Sequence, residues 1–245
     1  MPESSASGSL VLMYHRVGSP LVRSIVRQQY AHPVVLRSQM KTLLSRGYRP
    51  LTLGAMLAQP ETCYGHFAPT FDDGYATVWR QGFPILAEYQ VPATIFMVAG
   101  ALGKTNYWDE ALGDRTEKML TKDELRALAD AGCEIGAHTM SHAHLLGLSP
   151  RELHAEIYDA KDLLENLIGK PVRGFAYPYG EFDDRIRDAL IEAGYRYAVT
   201  CEQSAIYPQM DPYALTRINM RWNTCGPVLT EKIDRLSRNV PPRND

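Results

Sequence analysis

The stretch "PTFDDGYATVW" (residues 69–79) decides how the chain is read. Asp72 and Asp73 stand side by side, after an apolar run and before Gly74. Adjacent carboxylates repel, and both lose solvation when partly buried. Taken alone, such a pair is ordinarily a turn or a helix cap. The flanks ask for more. "FAPTF" (67–71) before it has the pattern of a strand, and "ATVWRQGFPILAEY" (76–89) after it that of a helix. Pro84 within the second segment predicts a kink or break.

Working outward, strand-like and helix-like segments alternate. "LVLMY" (10–14), "ATIFMVA" (93–99), "CEIGAH" (133–138), "GFAY" (174–177) and "YRYAVT" (195–200) read as strands, with a late strand over "LTRINM" (215–220). "LRSQMKTLLSRG" (36–47), "TKDELRALADAG" (121–132) and "DDRIRDALIEAG" (183–194) read as helices. Thr121 with Glu124 forms a capping box, as does Ser149 with Glu152. The second box opens the clearest helix, with Pro150 in its first turn, a stripe of Leu153, Ile157, Ala160, Leu164 and Leu167, and Gly169 at its end. Strands alternating with helices predict an α/β fold with a mainly parallel sheet, open or closed. Segments 17–32 and 100–120 are expected to be long surface loops.

Bulk properties exclude several classes. The 245 residues are 45% hydrophobic, and 26 basic side chains face 28 acidic ones for a net charge of −2. A nucleic-acid-binding surface is therefore not expected. No apolar run reaches the roughly 18 residues of a membrane span. "MPESSASGSLVLMYHRV" lacks a basic leader, so a cytosolic location is the expectation. Cys63, Cys133, Cys201 and Cys225 are widely spread, without a Cys-x-x-Cys, and are expected to be free thiols.

Chemistry gathers at the strand ends. His15 follows "LVLMY", Asp72 and Asp73 follow "PTF", His138 and His142 lie in "HTMSHAH", and "YPYG" (177–180) follows "GFA". If the strands are parallel, these groups meet on one rim. Histidines at i and i+4 project from one face of a helical turn and can reach one ion. Two histidines and a carboxylate make a common catalytic zinc set, and the other aspartate is then free to act as a base. His144 is a third imidazole candidate.

In order and spacing these pieces resemble the polysaccharide deacetylases of carbohydrate esterase family 4, the NodB-homology domain. "TFDDGY" (70–75), "HTMSH" (138–142) and "FAYPYG" (175–180) look like the family's first three motifs, and the likeness runs from about Leu10 to Met220. It implies one catalytic domain over 1–245, with a core of about 10–220, folded as a distorted (β/α) barrel of about seven parallel strands. It implies Asp72 as general base, and Asp73, His138 and His142 as ligands of one divalent ion. It also implies the Tyr179 backbone N–H as a donor to the oxyanion. Zinc is favoured for this donor set over cobalt, nickel, iron or manganese.

The sequence departs from the family in two places. Ala176 stands where many members carry the third motif's arginine; either Asp72 lacks that contact or Arg217 supplies it. The late Leu-x-x-His motif that normally provides the acid is also absent, since no histidine follows His154. "MYHRV" and "YPYG" resemble the poly-N-acetylglucosamine deacetylase subgroup, which implies His15 as the general acid. Trp108 on the 100–120 loop, Tyr177 and Arg217 are candidate substrate contacts. The expected reaction is removal of N-acetyl groups from amino sugars of a glycan. Its rivals are deacylation of a small lipid- or nucleotide-linked precursor or another amide, and an inactive carbohydrate-binding homologue. The oligomeric state has no sequence signal.

Overall fold

The computed structural model describes residues 8–20, 24–58, 64–113, 116–207 and 209–237. The strands are β1 (Leu10–Tyr14), β2 (Arg16–Val17), β3 (Tyr30–Ala31), β4 (Arg49–Pro50), β5 (His66–Phe71), β6 (Thr94–Met97), β7 (Glu134–Ala137), β8 (Gly174–Ala176), β9 (Tyr197–Val199) and β10 (Ile218–Asn219). Between and after them run α1 (Pro33–Ser45), α2 (Leu53–Leu57), α3 (Phe83–Glu88), α4 (Lys122–Asp130), α5 (Pro150–His154), α6 (Ala160–Ile168), α7 (Asp184–Glu192) and α8 (Gly226–Ser237).

The main sheet is parallel throughout, in the order β10-β1-β5-β6-β7-β8-β9, with β4 beside the start of β5. It curls into a barrel whose two end strands, β9 and β10, do not pair directly; Leu215 bridges to Val199 across the seam. β5 changes partner along its length. His66 and Phe67 pair with β4, whereas Thr70 and Phe71 pair with β6. Pro69, which has no N–H, falls between the two stretches.

Side chains alternate in and out along each strand, and both faces are buried, as a parallel sheet under helices requires. Leu10, Leu12, Tyr14, Phe67, Phe71, Ile95 and Met97 face the helical layer. Val11, Ala68, Phe96, Ala176 and Val199 face the barrel interior, closed below by Leu53 and Met56 of α2. The interior is narrow. A Cβ on Gly136 would lie 2.4 Å from the Phe96 ring, and one on Gly174 would lie 2.3 Å from the Tyr197 hydroxyl. Counting inward positions upward by twos, β5 delivers Asp72 and β7 delivers His138 to the upper mouth, where the strands' C-terminal ends lie.

Several expectations need correction. α1 starts three residues early, because Pro33 sits in its first turn and His32 Nδ1 accepts from the Val34 N–H. The 76–89 helix is split into a wide π-type turn over Val78–Gly82 and then α3, which carries Pro84 in its first turn. The 150–168 helix is continuous but contains a second π-type turn over Ala155–Asp159. Neither long loop is merely superficial. Segment 17–32 contributes to the buried β2–β3 ladder, and Ala101, Asn106, Asp109, Met119 and Leu120 are buried in the other loop. α8 packs on α1 and buries Leu229 and Ile233, so the core continues past Met220. Cys133, Cys201 and Cys225 are free, and Cys63 lies outside the described residues. No described helix is long and apolar enough to cross a membrane.

The tight interior predicts that Gly136→Ala loses about 1–3 kcal/mol, the usual cost of overpacking a core. Urea unfolding measures it, and adding Phe96→Leu should recover part of the loss.

Candidate active site

Asp72 directly follows β5, and its backbone N–H continues the ladder onto the Tyr14 carbonyl (2.9 Å). In regular strand geometry the next residue would point away from the mouth. Asp73 does not, because its φ is +69°. Gly74 follows at φ +87°, and its N–H closes a tight turn on the Asp72 carbonyl (2.8 Å). This left-handed turn brings both carboxylates to the mouth and sends them to different partners. A non-glycine residue held there costs about 1–3 kcal/mol, which is characteristic of functional turns.

Asp72 is answered by Arg217, and both are buried. The guanidinium donates twice to the carboxylate, at 2.7 and 2.8 Å, and is itself oriented by Thr70 Oγ1 and the Thr200 carbonyl. Burial pushes the Asp72 carboxyl up, but Arg217 outweighs it and the net shift is downward. Asp72 therefore stays ionised at neutral pH. Ala176 is thus compensated by an arginine from the entry to β10.

Asp73 faces the two imidazoles. Its Oδ1 lies 3.3 Å from His138 Nε2 and 3.4 Å from His142 Nε2. His138 Nδ1 lies 2.7 Å from the Ala176 carbonyl. A carbonyl can only accept, so Nδ1 carries a proton and Nε2 is the ring atom turned to the carboxylate, the one free to give up its proton to a cation. His142 Nδ1 sits 3.2 Å from the Tyr179 hydroxyl, leaving its Nε2 likewise turned inward.

The helical reading of "HTMSH" fails. Residues 138–142 form an irregular turn with Thr139 at φ +68° and His142 at φ +63°. Convergence comes from tertiary contacts. Glu156, on the π-type turn of the 150–168 helix, accepts from the N–H groups of Met140 and Ser141 (2.9 Å each) and from the Ser141 hydroxyl (2.5 Å).

The donor set fits a divalent cation. The three ligand atoms lie within 4.8 Å of one another. The 3.3–3.4 Å carboxylate–imidazole separations match the edge of a tetrahedron with bonds of about 2.0–2.1 Å. Among the described residues, Asp73 Oδ1 is buried without a hydrogen-bond partner. The electrostatics agree. Burial pushes Asp73 up, but His138 and His142 carry it well below the carboxylate range; burial depresses His138, but Asp73 raises it overall. The cluster favours a positive charge at its centre.

His15, between β1 and β2, completes the rim. Burial lowers its pKa, against the opposing pull of Asp73 and Asp72. The remaining candidates fall elsewhere. His144 is exposed, stacks on Tyr179 (3.8 Å) and pairs with Glu181 (3.1 Å), outside the ligand triangle. Tyr179 is half exposed at the mouth at φ +60°. Tyr177, a candidate substrate contact, is fully buried, donates to the Tyr213 carbonyl and stacks on Phe182. Arg217, another, is buried on Asp72. Trp108 stacks on the His142 ring (4.7 Å, 17°).

Sequence comparison agrees with this geometry: the sequence profile of the polysaccharide deacetylase family matches residues 60–198. The chain belongs to the polysaccharide deacetylase family. The protein YxkH of Bacillus subtilis is 29% identical over 233 residues, covering 92% of this chain and 76% of that protein. The poly-β-1,6-N-acetyl-D-glucosamine N-deacetylase of Staphylococcus epidermidis is 26% identical over 242 residues, covering 86% of this chain and 78% of the enzyme. Among solved structures, the Streptococcus pyogenes deacetylase PplD, in complex with acetate, superposes with a TM-score of 0.79 at 21% identity. That superposition covers 93% of this chain and 99% of PplD, and shows that the two chains share one fold.

Glu156 and Arg16 carry no signal in the sequence. Each acts across the fold, and neither belongs to a local motif. Glu156→Ala should leave two half-buried amides unpaired and lower zinc affinity by roughly 10–100-fold, the scale for groups that orient ligands. Asp159→Ala on the same turn should not change it. Competition with a chelating dye distinguishes the two.

Proposed function

We propose that the chain is a metal-dependent hydrolase that removes N-acetyl groups from N-acetylated amino sugars of a glycan, releasing acetate and a free amine. The observation that carries this reading is the division of the aspartate pair, with Asp73 on two inward Nε2 atoms and Asp72 on Arg217. A binding module needs neither a second carboxylate kept ionised nor an imidazole beside it. The Staphylococcus epidermidis relative is named for deacetylating poly-β-1,6-N-acetyl-D-glucosamine, which supports a β-1,6-linked N-acetylglucosamine polymer as the first substrate to try.

Asp73, His138 and His142 would hold the ion, and zinc suits two imidazoles and one carboxylate. When bound, such an ion polarises an acyl carbonyl and makes water acidic enough to deprotonate near neutral pH. Asp72 takes the proton of the attacking water, held in place and ionised by Arg217. The Tyr179 backbone N–H donates to the developing oxyanion. His15 gives a proton to the leaving nitrogen, without which an amine is a poor leaving group. His15 is depressed by burial in the free protein. Negative charge growing on the acyl group adds to the pull of the two aspartates, so its proton affinity rises as the transition state forms.

The test is acetate release from a panel of β-1,6-linked N-acetylglucosamine oligomers, chitooligosaccharides and nucleotide- or lipid-linked N-acetyl sugars. Release from at least one, abolished by chelation and restored by zinc, is expected; no release from any by zinc-loaded protein contradicts the reading. Asp72→Asn should retain metal and lose activity by roughly 10²–10⁴-fold, the scale of one acid–base group. Asp73→Asn should lose metal and activity together. His15→Ala should retain metal, lose activity by a similar factor and remove the alkaline limb of the kcat/KM profile. Near-normal amide hydrolysis by His15→Ala would exclude it as the acid.

A further inference from the structure

We infer that Arg16 is a positioning residue for the ligand His142, acting through Asp109 and Trp108. The inference rests on the metal-site reading above. Arg16 directly follows His15, yet its side chain leaves the mouth and is almost wholly buried under the 100–120 loop. Its Nη2 lies 2.5 Å from Asp109 Oδ2 and 2.5 Å from the Tyr75 hydroxyl, and its Nε lies 3.0 Å from Glu117. The guanidinium sits over the Tyr75 ring (4.1 Å to its centre) and near that of Tyr30 (5.3 Å).

These contacts join both legs of the loop. Asn106 donates to Asp109 Oδ2 (2.6 Å) and accepts the Glu117 N–H (2.5 Å). The loop is rooted on the catalytic turn, with the Leu120 N–H on the Gly74 carbonyl (2.8 Å) and the Ala76 N–H on the Lys118 carbonyl (2.9 Å). Its tip meets the metal-binding segment twice. Tyr107 donates to the Ser141 carbonyl (2.9 Å), and Trp108, one residue before Asp109, lies flat on His142.

A continuous path therefore runs from Arg16 through Asp109 to Trp108 and the imidazole. A buried ion pair is a poor source of net stability, because desolvation of its charges offsets much of their attraction. What it supplies is one fixed geometry for the groups attached to it. Here the attached group is an indole covering one face of His142, whose backbone is in a left-handed conformation and whose Nδ1 meets the Tyr179 hydroxyl.

The experiment compares wild type, Arg16→Gln and Asp109→Asn by three readouts. These are zinc affinity from dye competition, melting temperature of the metal-free protein, and Trp108 emission taken as the difference from a Trp108→Phe background. Both variants should lose zinc affinity by roughly 10–100-fold, the scale for groups that orient ligands. Both should shift Trp108 emission and lower kcat more than they raise KM. In a Trp108→Ala background, Arg16→Gln should cause little further loss of affinity, because the two changes lie on one path. A folded Arg16→Gln or Asp109→Asn protein with wild-type zinc affinity and wild-type Trp108 emission would overturn the inference. So would an equal loss of affinity with and without Trp108, or failure of both variants to fold, which would make the network a folding element only. Wild-type protein that binds no zinc would instead sink the deacetylase reading, while Trp108 emission still reports whether Arg16 sets the indole.

Discussion

Two neighbouring carboxylates can share one barrel mouth only if each has its own positive partner. That constraint organises the rest of the structure. The left-handed turn at Asp73 separates the pair by direction, Arg217 takes Asp72, and the imidazoles take Asp73. Remove the turn and Asp73 would point towards the helical layer; remove Arg217 and Asp72 would be a buried carboxylate without a cation. Burial and charge oppose each other at both residues, and charge wins at both. The strained conformations follow the same logic. Asp73, Thr139, His142 and Tyr179 all have positive φ and all border the site, whereas Gln90 is the other described non-glycine residue of that kind.

The scaffold makes this arrangement rigid. Parallel strands bring their C-terminal ends to one rim, and inward alternation places Asp72 and His138 there by register. Gly136 and Gly174 let Phe96 and Tyr197 fill the interior beneath. Long-range side chains then complete the geometry where the backbone is irregular: Glu156 fixes the 140–141 amides from a π-type turn, and the Arg16 network fixes the loop that covers His142. Helical π turns recur at functional positions because the extra residue redirects a side chain, and the Glu156 turn does this.

Much of this was legible in the residues. Alternating strands and helices, both capping boxes and the four chemistry-bearing strand ends follow from hydrophobic period, Gly and Pro placement, and spacing, all of which are local properties. What escaped was non-local or depended on φ. Spacing suggests a helical turn for His138 and His142, yet it cannot register the positive φ of Thr139 and His142. Arg217 is 145 residues from Asp72 in the chain, so only the resemblance to a family with an arginine at that contact raised it. Tyr177 opens the YPYG motif but, like Phe175, sits on the helical-layer face of the sheet, opposite to the inward Ala176, and its ring belongs to the core. Trp108 reads as a candidate substrate contact; that its ring lies on His142 is a long-range contact that local pattern cannot show. α8 was missed because it opens with Gly226-Pro227, past the end of the recognised resemblance.

The most direct test of the central claim is anomalous diffraction at the zinc edge from crystals grown with zinc. The account predicts one strong peak bonded to Asp73, His138 Nε2 and His142 Nε2, with Asp72 still paired to Arg217 and not bonded to the ion. A peak bonded by both aspartates, or one that draws Asp72 off Arg217, would contradict the division of labour on which the proposed function rests.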